Sequence, residues 1–212
     1  MVKIKKEGSK VKAVFFDMDG VLVDTAKTWF LTVNKTLEYL GYPKITWKRF
    51  VDDFGQGAAA DIEFYMQGRE KVENIEKLYG KFFAELLGTI KIISGAPSIL
   101  RWLNNQGVRC VCVTNSNRRL ALSVLKKFKL ISYFDFVVSG DEGLKQKPAS
   151  DMALHALQKL NFKVRDVIFI GDSIFDQMAA RGAKVRFVSF GKKYLKADIA
   201  IDKLFQLKSI VN

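Results

Sequence analysis

Hydrophobic and polar positions alternate in two rhythms along most of this chain. Short apolar runs read as buried strands at Ala13–Phe16, Val108–Val113, Phe136–Val138, Val167–Ile170 and Val185–Ser189. Between them lie segments of helical period. One spans Ala96 to Gln106 and is stopped by Gly107. Another, Asn117 to Phe128, places Ala121, Val124, Leu125 and Phe128 on one face. Ser150 or Asp151 can cap a third, with Ala153, Ala156, Leu157 and Leu160 on one side. A fourth starts near Ile174 and ends near Arg181. Strands separated by helices imply right-handed crossovers and a parallel sheet, so the fold class is α/β.

From Thr25 to Lys91 the rhythm is helical throughout, with no convincing strand. Trp29, Val33, Leu37 and Leu40 share one helical face, closed by Gly41 and Pro43. Ile75, Tyr79, Phe82, Phe83 and Leu86 mark a second long amphipathic helix. Shorter pieces near Trp47–Phe54 and Ala58–Met66 are joined by Gly55 and Gly57. The expected division is a core of residues 1–23 and 92–212 with an all-helical cap of residues 24–91. An insert leaving the carboxyl end of a strand can fold over a site there.

Composition changes this picture little. The 212 residues are 49% hydrophobic and 27% charged, which suits one globular domain with an insert. No run approaches the roughly 18 apolar residues that span a bilayer, and the basic N-terminus lacks the apolar stretch of a signal peptide. Cys110 and Cys112 alternate on one strand, so they share a face and read as reduced core residues. These features point to a cytoplasmic protein without membrane contact. The net charge is +13, concentrated in the first 12 residues, in Arg118 to Lys129 and in Arg181 to Lys196. Such charge can attract nucleic acid, but no aromatic-rich basic motif or finger spacing accompanies it. A solvated basic surface that draws in small anions is the simpler reading. Nothing in the sequence speaks to oligomeric state.

Chemistry concentrates at the carboxyl ends of the strands, where open α/β sheets bind ligands. Asp17-Met18-Asp19-Gly20 follows the first strand, and a carboxylate there is costly without a cation, a partner or a function. Val113-Thr114-Asn115-Ser116 follows the cysteine strand. Lys147-Pro148 lies in the loop after Phe136–Val138, and Gly171-Asp172-Ser173-Ile174-Phe175-Asp176 follows Val167–Ile170. Together these groups suit phosphoryl transfer through an aspartyl-phosphate. Asp17 and Asp172 can offer oxygens to Mg²⁺, which takes few ligands from protein. A lysine can hold the phosphate, and groups after Thr114 can bind its remaining oxygens. Four ionised carboxylates outweigh one lysine and one divalent cation by a single charge, which a protonated Asp19 removes.

These motifs closely resemble, in order, the four motifs of the haloacid dehalogenase superfamily. The first is Asp17-Met18-Asp19-Gly20-Val21-Leu22-Val23-Asp24-Thr25, and Gly95-Ala96-Pro97 before the second also agrees. The resemblance covers about residues 11 to 207. It implies a Rossmann-like core with a helical cap inserted after the first motif, in the branch of phosphoglycolate phosphatases and β-phosphoglucomutases. It implies Asp17 as nucleophile and Asp19 as general acid/base. It further implies Mg²⁺ on Asp17, the Asp19 carbonyl and Asp172, with Asp176 close behind, and phosphate on Thr114, Asn115 and Lys147. The carboxylate at 19 argues for phosphate esters, since a departing halide needs no proton. The expected activity is Mg²⁺-dependent hydrolysis of a small phosphorylated metabolite. A phosphomutase of the β-phosphoglucomutase type uses the same core residues, and a non-catalytic, nucleic-acid-associated protein is the reading from another class.

Outside the motifs, Gln56 sits between two glycines on a cap loop that could select substrate, with Arg69 a weaker candidate. Asp24 and Thr25 could touch substrate, and Asp24 could equally cap the first cap helix. His155 reads as structural, Trp29, Trp47 and Phe54 as cap core, and Asp52-Asp53 as a solvated pair.

Overall fold

The computed structural model describes residues 10–191 and 196–211. The chain runs β1 (Ala13–Phe16), β2 (Val23–Asp24), α1 (Ala26–Tyr39), α2 (Trp47–Asp53), α3 (Ala58–Met66), α4 (Val72–Leu86) and β3 (Lys91–Ile92). It continues with α5 (Ala96–Asn105), β4 (Arg109–Val113), α6 (Arg118–Lys127), β5 (Phe136–Val138), α7 (Asp151–Leu160), β6 (Val167–Gly171), α8 (Ile174–Gly182), β7 (Arg186–Phe190), β8 (Ile199–Ile201) and α9 (Lys208–Val211).

Six strands form one parallel sheet in the order β5-β4-β1-β6-β7-β8. β1 is central: Phe16 pairs with Cys112 on one side and Ile170 on the other. Alternation along the strands divides the core in two. Val14, Phe16, Cys110 and Cys112 pack on one face against α5 and α6. Ala13, Phe15, Val111 and Val113 pack on the other face with α7 and the end of α8. Helices on both faces explain why these strands read as continuous apolar runs. The cysteines are unpaired and share the first face, as their spacing requires.

Sequence and structure differ where periodicity has little to work on. β8 is a three-residue edge strand that the pattern does not announce. β2 and β3 form a two-residue antiparallel ribbon, Val23 opposite Ile92 and Asp24 opposite Lys91. This ribbon stands where the helical segment leaves and returns. α1 packs on α4, and the helices between residues 26 and 86 enclose their own cluster of Val33, Leu37, Phe50, Ile62, Met66 and Ile75. Trp29 packs against both this cluster and the sheet core. Thr25, not Asp24, occupies the N-cap of α1, and its side chain makes no capping bond; Asp24 is exposed. Asp53 is no solvated spare: it pairs with Arg49 at 2.8 Å and accepts the Tyr65 hydroxyl at 3.1 Å. Of the basic stretches, residues 1–9 and Lys192 and Lys193 lie outside the described residues.

Candidate active site

β1 delivers Asp17 and Asp19 to the carboxyl edge of the sheet. The Asp17 N–H still donates to Ile170 O at 2.9 Å, so this residue is fixed by the sheet itself. The chain then turns through Gly20 at φ +80°. A Cβ on Gly20 would stand 2.4 Å from Asp172 Oδ2. Glycine therefore supplies both the left-handed turn and the space that the Asp172 carboxylate occupies.

Lys147 is buried and joins three strand ends. Its Nζ donates to Asp17 Oδ1 at 2.7 Å, Asp176 Oδ1 at 2.6 Å and Val113 O at 3.1 Å. The other oxygen of Asp176 accepts Ser173 N–H at 3.1 Å and the Ser173 hydroxyl at 2.5 Å, forming a capping box at the start of α8. Asp19 collects hydroxyl donors: Thr25 on Oδ1, and Thr114 at 3.4 Å and Ser116 at 3.2 Å on Oδ2. Asn115 is held at both ends of its amide. Its Nδ2 donates to Lys147 O at 2.9 Å and Gly55 O at 3.1 Å, and Lys147 N–H donates to its Oδ1 at 2.9 Å.

Asp17, Asp172 and Asp176 each bring a ligand atom within 4.8 Å of the others. Burial pushes the Asp17 carboxyl well above its ordinary range; Asp176 adds to this, Lys147 opposes it, and Asp19 and Asp172 raise it further. Burial also raises Asp19, against the pull of its bond from Thr25, the Lys147 charge, and bonds from Ser116 and Trp29. Although burial works against it, the Lys147 ammonium is held above its ordinary range by Asp17 and Asp176. The site thus has more carboxylates than cations, all with hard oxygen donors, a composition suited to a divalent cation such as Mg²⁺. Of the three, Asp176 is committed to Lys147 and Ser173 through both its oxygens.

A cavity of about 720 Å³ opens above this cluster. Asp17, Asp19, Thr114, Asn115, Lys147 and Asp172 line its floor. Trp29, Phe50, Phe54, Asp61 and Tyr79 form much of its helical wall. Gly55 and Gly57 belong to that wall, but Gln56 between them instead donates to Asp53 O at 3.3 Å. Arg69 is exposed, and His155 lies within α7; neither lines the cavity.

The pattern that defines the haloacid dehalogenase-like hydrolases matches residues 14–190. The chain belongs to this family. Within it, the chain is 32% identical to a phosphoglycolate phosphatase of Agrobacterium fabrum, over 88% of this chain and 86% of that protein. It is 30% identical to phosphoglycolate phosphatase 1 of Pseudomonas aeruginosa, over 82% and 67% of the two chains. The crystal structure of a mutant of CbbY from Rhodobacter sphaeroides, in complex with xylulose-1,5-bisphosphate, shares the fold at a TM-score of 0.83. That likeness covers 93% of this chain and 96% of CbbY at 20% identity. This haloacid dehalogenase-like hydrolase is a phosphatase by its relatives. No helix among its described residues is long and apolar enough to cross a membrane.

All seven core residues singled out from the motifs meet at this one strand edge. Sequence reasoning takes Trp29 as cap core and Thr25 as a possible substrate contact, and gives Ser116 and Ser173 no individual role. Ser173 carried a usable signal, since Ser-x-x-Asp before a helix is the spacing of a reciprocal cap. Ser116 and Thr25 carried only their place within the motifs, and Trp29 its helical period.

Proposed function

We propose that the chain is a Mg²⁺-dependent phosphatase that hydrolyses a small phosphorylated metabolite through an aspartyl-phosphate on Asp17. The observation that carries this reading is the buried Lys147 bridging Asp17 and Asp176, with Asp19, two residues after Asp17, at the floor of the same cavity. Lys147 fixes the Asp17 carboxylate and places a positive charge where phosphoryl oxygens would gather. A carboxylate oxygen of Asp17 attacks phosphorus as the ester P–O bond breaks. Asp19, raised by burial and surrounded by hydroxyl groups, gives its proton to the departing alkoxide. It then takes a proton from the water that attacks the acyl phosphate, which frees Asp17 and inorganic phosphate. Thr114 donates to Asp19, lines the same cavity floor as Asp17 and would bind a phosphoryl oxygen. Asn115, with its side-chain amide already engaged, would hold the Lys147 loop in position. Asp17, Asp172 and the Asp19 carbonyl would hold Mg²⁺, which neutralises phosphoryl charge when bound.

The helical segment of residues 24–91 is proposed as a cap that shields this chemistry from water. Two buried, unpaired cysteines support a reducing, cytoplasmic setting. The purified chain should hydrolyse p-nitrophenyl phosphate, lose that activity to chelator and regain it with Mg²⁺. Asp17→Asn should abolish turnover. Undiminished activity in that variant would rule out the nucleophile.

A further inference from the structure

We propose that the alcohol portion of the substrate carries an ammonium group, seated against Asp61 and the aromatic wall that runs from Trp29 to Tyr79. This rests on the phosphatase reading above and names the substrate class for the same cavity.

The placement follows from the proton donor. The leaving-group oxygen must lie beside Asp19, which lines the cavity together with Trp29. The Trp29 ring meets Tyr79 edge-on, with centroids 5.7 Å apart. The Tyr79 hydroxyl donates to Asp61 Oδ2 at 2.7 Å. Asp19, Trp29, Tyr79 and Asp61 all line the cavity, so they form one continuous path away from the reacting phosphate. A leaving group extending from Asp19 along Trp29 ends at Asp61. The second oxygen of Asp61, Oδ1, has no hydrogen-bond partner among the described residues and is not sealed in, so it is available to a donor.

Charge decides what that donor is. Beyond the reacting cluster, Asp24, Asp52, Asp61 and Glu76 also line the cavity. Lys147 is the only lysine or arginine lining it among the described residues, and Asp17 and Asp176 already engage its ammonium. Among the described lining residues a second anion on the substrate would meet mainly carboxylates, a repulsion that disfavours such esters. An ammonium would meet a carboxylate and the faces of Trp29, Phe50 and Phe54, each of which attracts a cation. Burial pushes the Asp61 carboxyl up to about 7. An ammonium at Oδ1 would favour the ionised form, and a carboxyl so perturbed in a cleft is a candidate binding residue.

The test compares kcat/KM with Mg²⁺ for matched phosphate esters at two lengths. The pairs are 2-aminoethyl phosphate against phosphoglycolate, and 4-aminobutyl phosphate against 4-phosphonooxybutyrate. 2-Hydroxyethyl phosphate is the neutral reference. The amine is expected to be preferred over both the carboxylate and the neutral ester by about ten- to a hundredfold at one length or both, the range for one charge-assisted hydrogen bond. Asp61→Asn keeps the side-chain shape and should shrink that preference about tenfold, chiefly by raising KM for the amine. Equal or better turnover of the carboxylate or the neutral ester at both lengths overturns the inference, as does an unchanged preference in Asp61→Asn. p-Nitrophenyl phosphate separates the two levels of the reading. Its turnover together with either of those results overturns the inference alone, and its failure to turn over overturns the phosphatase reading and the inference with it.

Discussion

Asp61→Asn should make the protein more stable, and by an amount that grows with pH. Asp61 lies in the first turn of α3, partly buried, where Tyr79 donates to it. Burial raises its carboxyl from 3.8 to about 7, against the Tyr79 hydrogen bond and with help from Asp53. In the unfolded chain the group titrates at its ordinary value. Between the two values the folded state therefore binds the proton more tightly. Stability from this group is fully present below 3.8, falls as pH rises toward 7, and is level above it. At about 1.4 kcal/mol per unit, the whole span amounts to ~4 kcal/mol. Asparagine keeps the shape and can still accept from Tyr79, but it does not titrate. Its advantage over the native residue should widen by about 2–3 kcal/mol between pH 5 and pH 8. In a chain of this length that corresponds to a relative rise in Tm of roughly 5–10 °C. Urea and thermal unfolding of both proteins at pH 5, 6, 7 and 8, with chelator present, measure the gap. A gap that stays constant with pH, or that widens toward acid, refutes the reasoning.

Three further substitutions probe the floor of the cavity. Gly20→Ala places a Cβ on the Asp172 carboxylate and forces a left-handed alanine, so stability should fall by about 1–2 kcal/mol in thermal unfolding. The displaced carboxylate should also lower kcat/KM about a hundredfold. Lys147→Met leaves Asp17 and Asp176 buried without their cation. It should cost about 3–5 kcal/mol in urea unfolding at neutral pH and abolish turnover. Asp19→Asn removes the proton donor, so kcat for an alkyl phosphate should drop about 10²–10⁴-fold. In the first, phosphorylating step, aryl phosphates, whose leaving group departs without a proton, should lose much less; equal losses of that step's rate on both would count against the assignment.

The floor of the site was legible because it sits where strong local patterns end. Four apolar runs stop at polar residues, and a parallel sheet brings those stops to one edge. The helical segment was legible from its period alone, since Val33, Leu37, Ile75 and Tyr79 repeat on single faces and are buried as that repeat requires. What escaped was set by partners distant in sequence. Ile199–Ile201 is too short and too half-buried to show a strand period, and the two-residue ribbon at Val23 and Ile92 has no period at all. Asp53 reads as a solvated acid until Tyr65, twelve residues on, closes over it. Trp29 reads as helix core because periodicity reports a buried face and not which of two cores it joins. Gln56 shows the converse. A polar residue between glycines looks poised over a cavity, yet its amide turns back to Asp53 O and leaves the wall to its neighbours.

The central claim is that phosphorus passes through Asp17. Rapid quenching of a single turnover with ³²P-labelled aryl phosphate and Mg²⁺, followed by borohydride reduction and peptide mapping, tests it most directly. The account predicts acid-stable, base-labile label that appears and decays within the turnover, with residue 17 recovered as homoserine. Turnover at full rate with no labelled protein, or with the label on any other side chain, would contradict it.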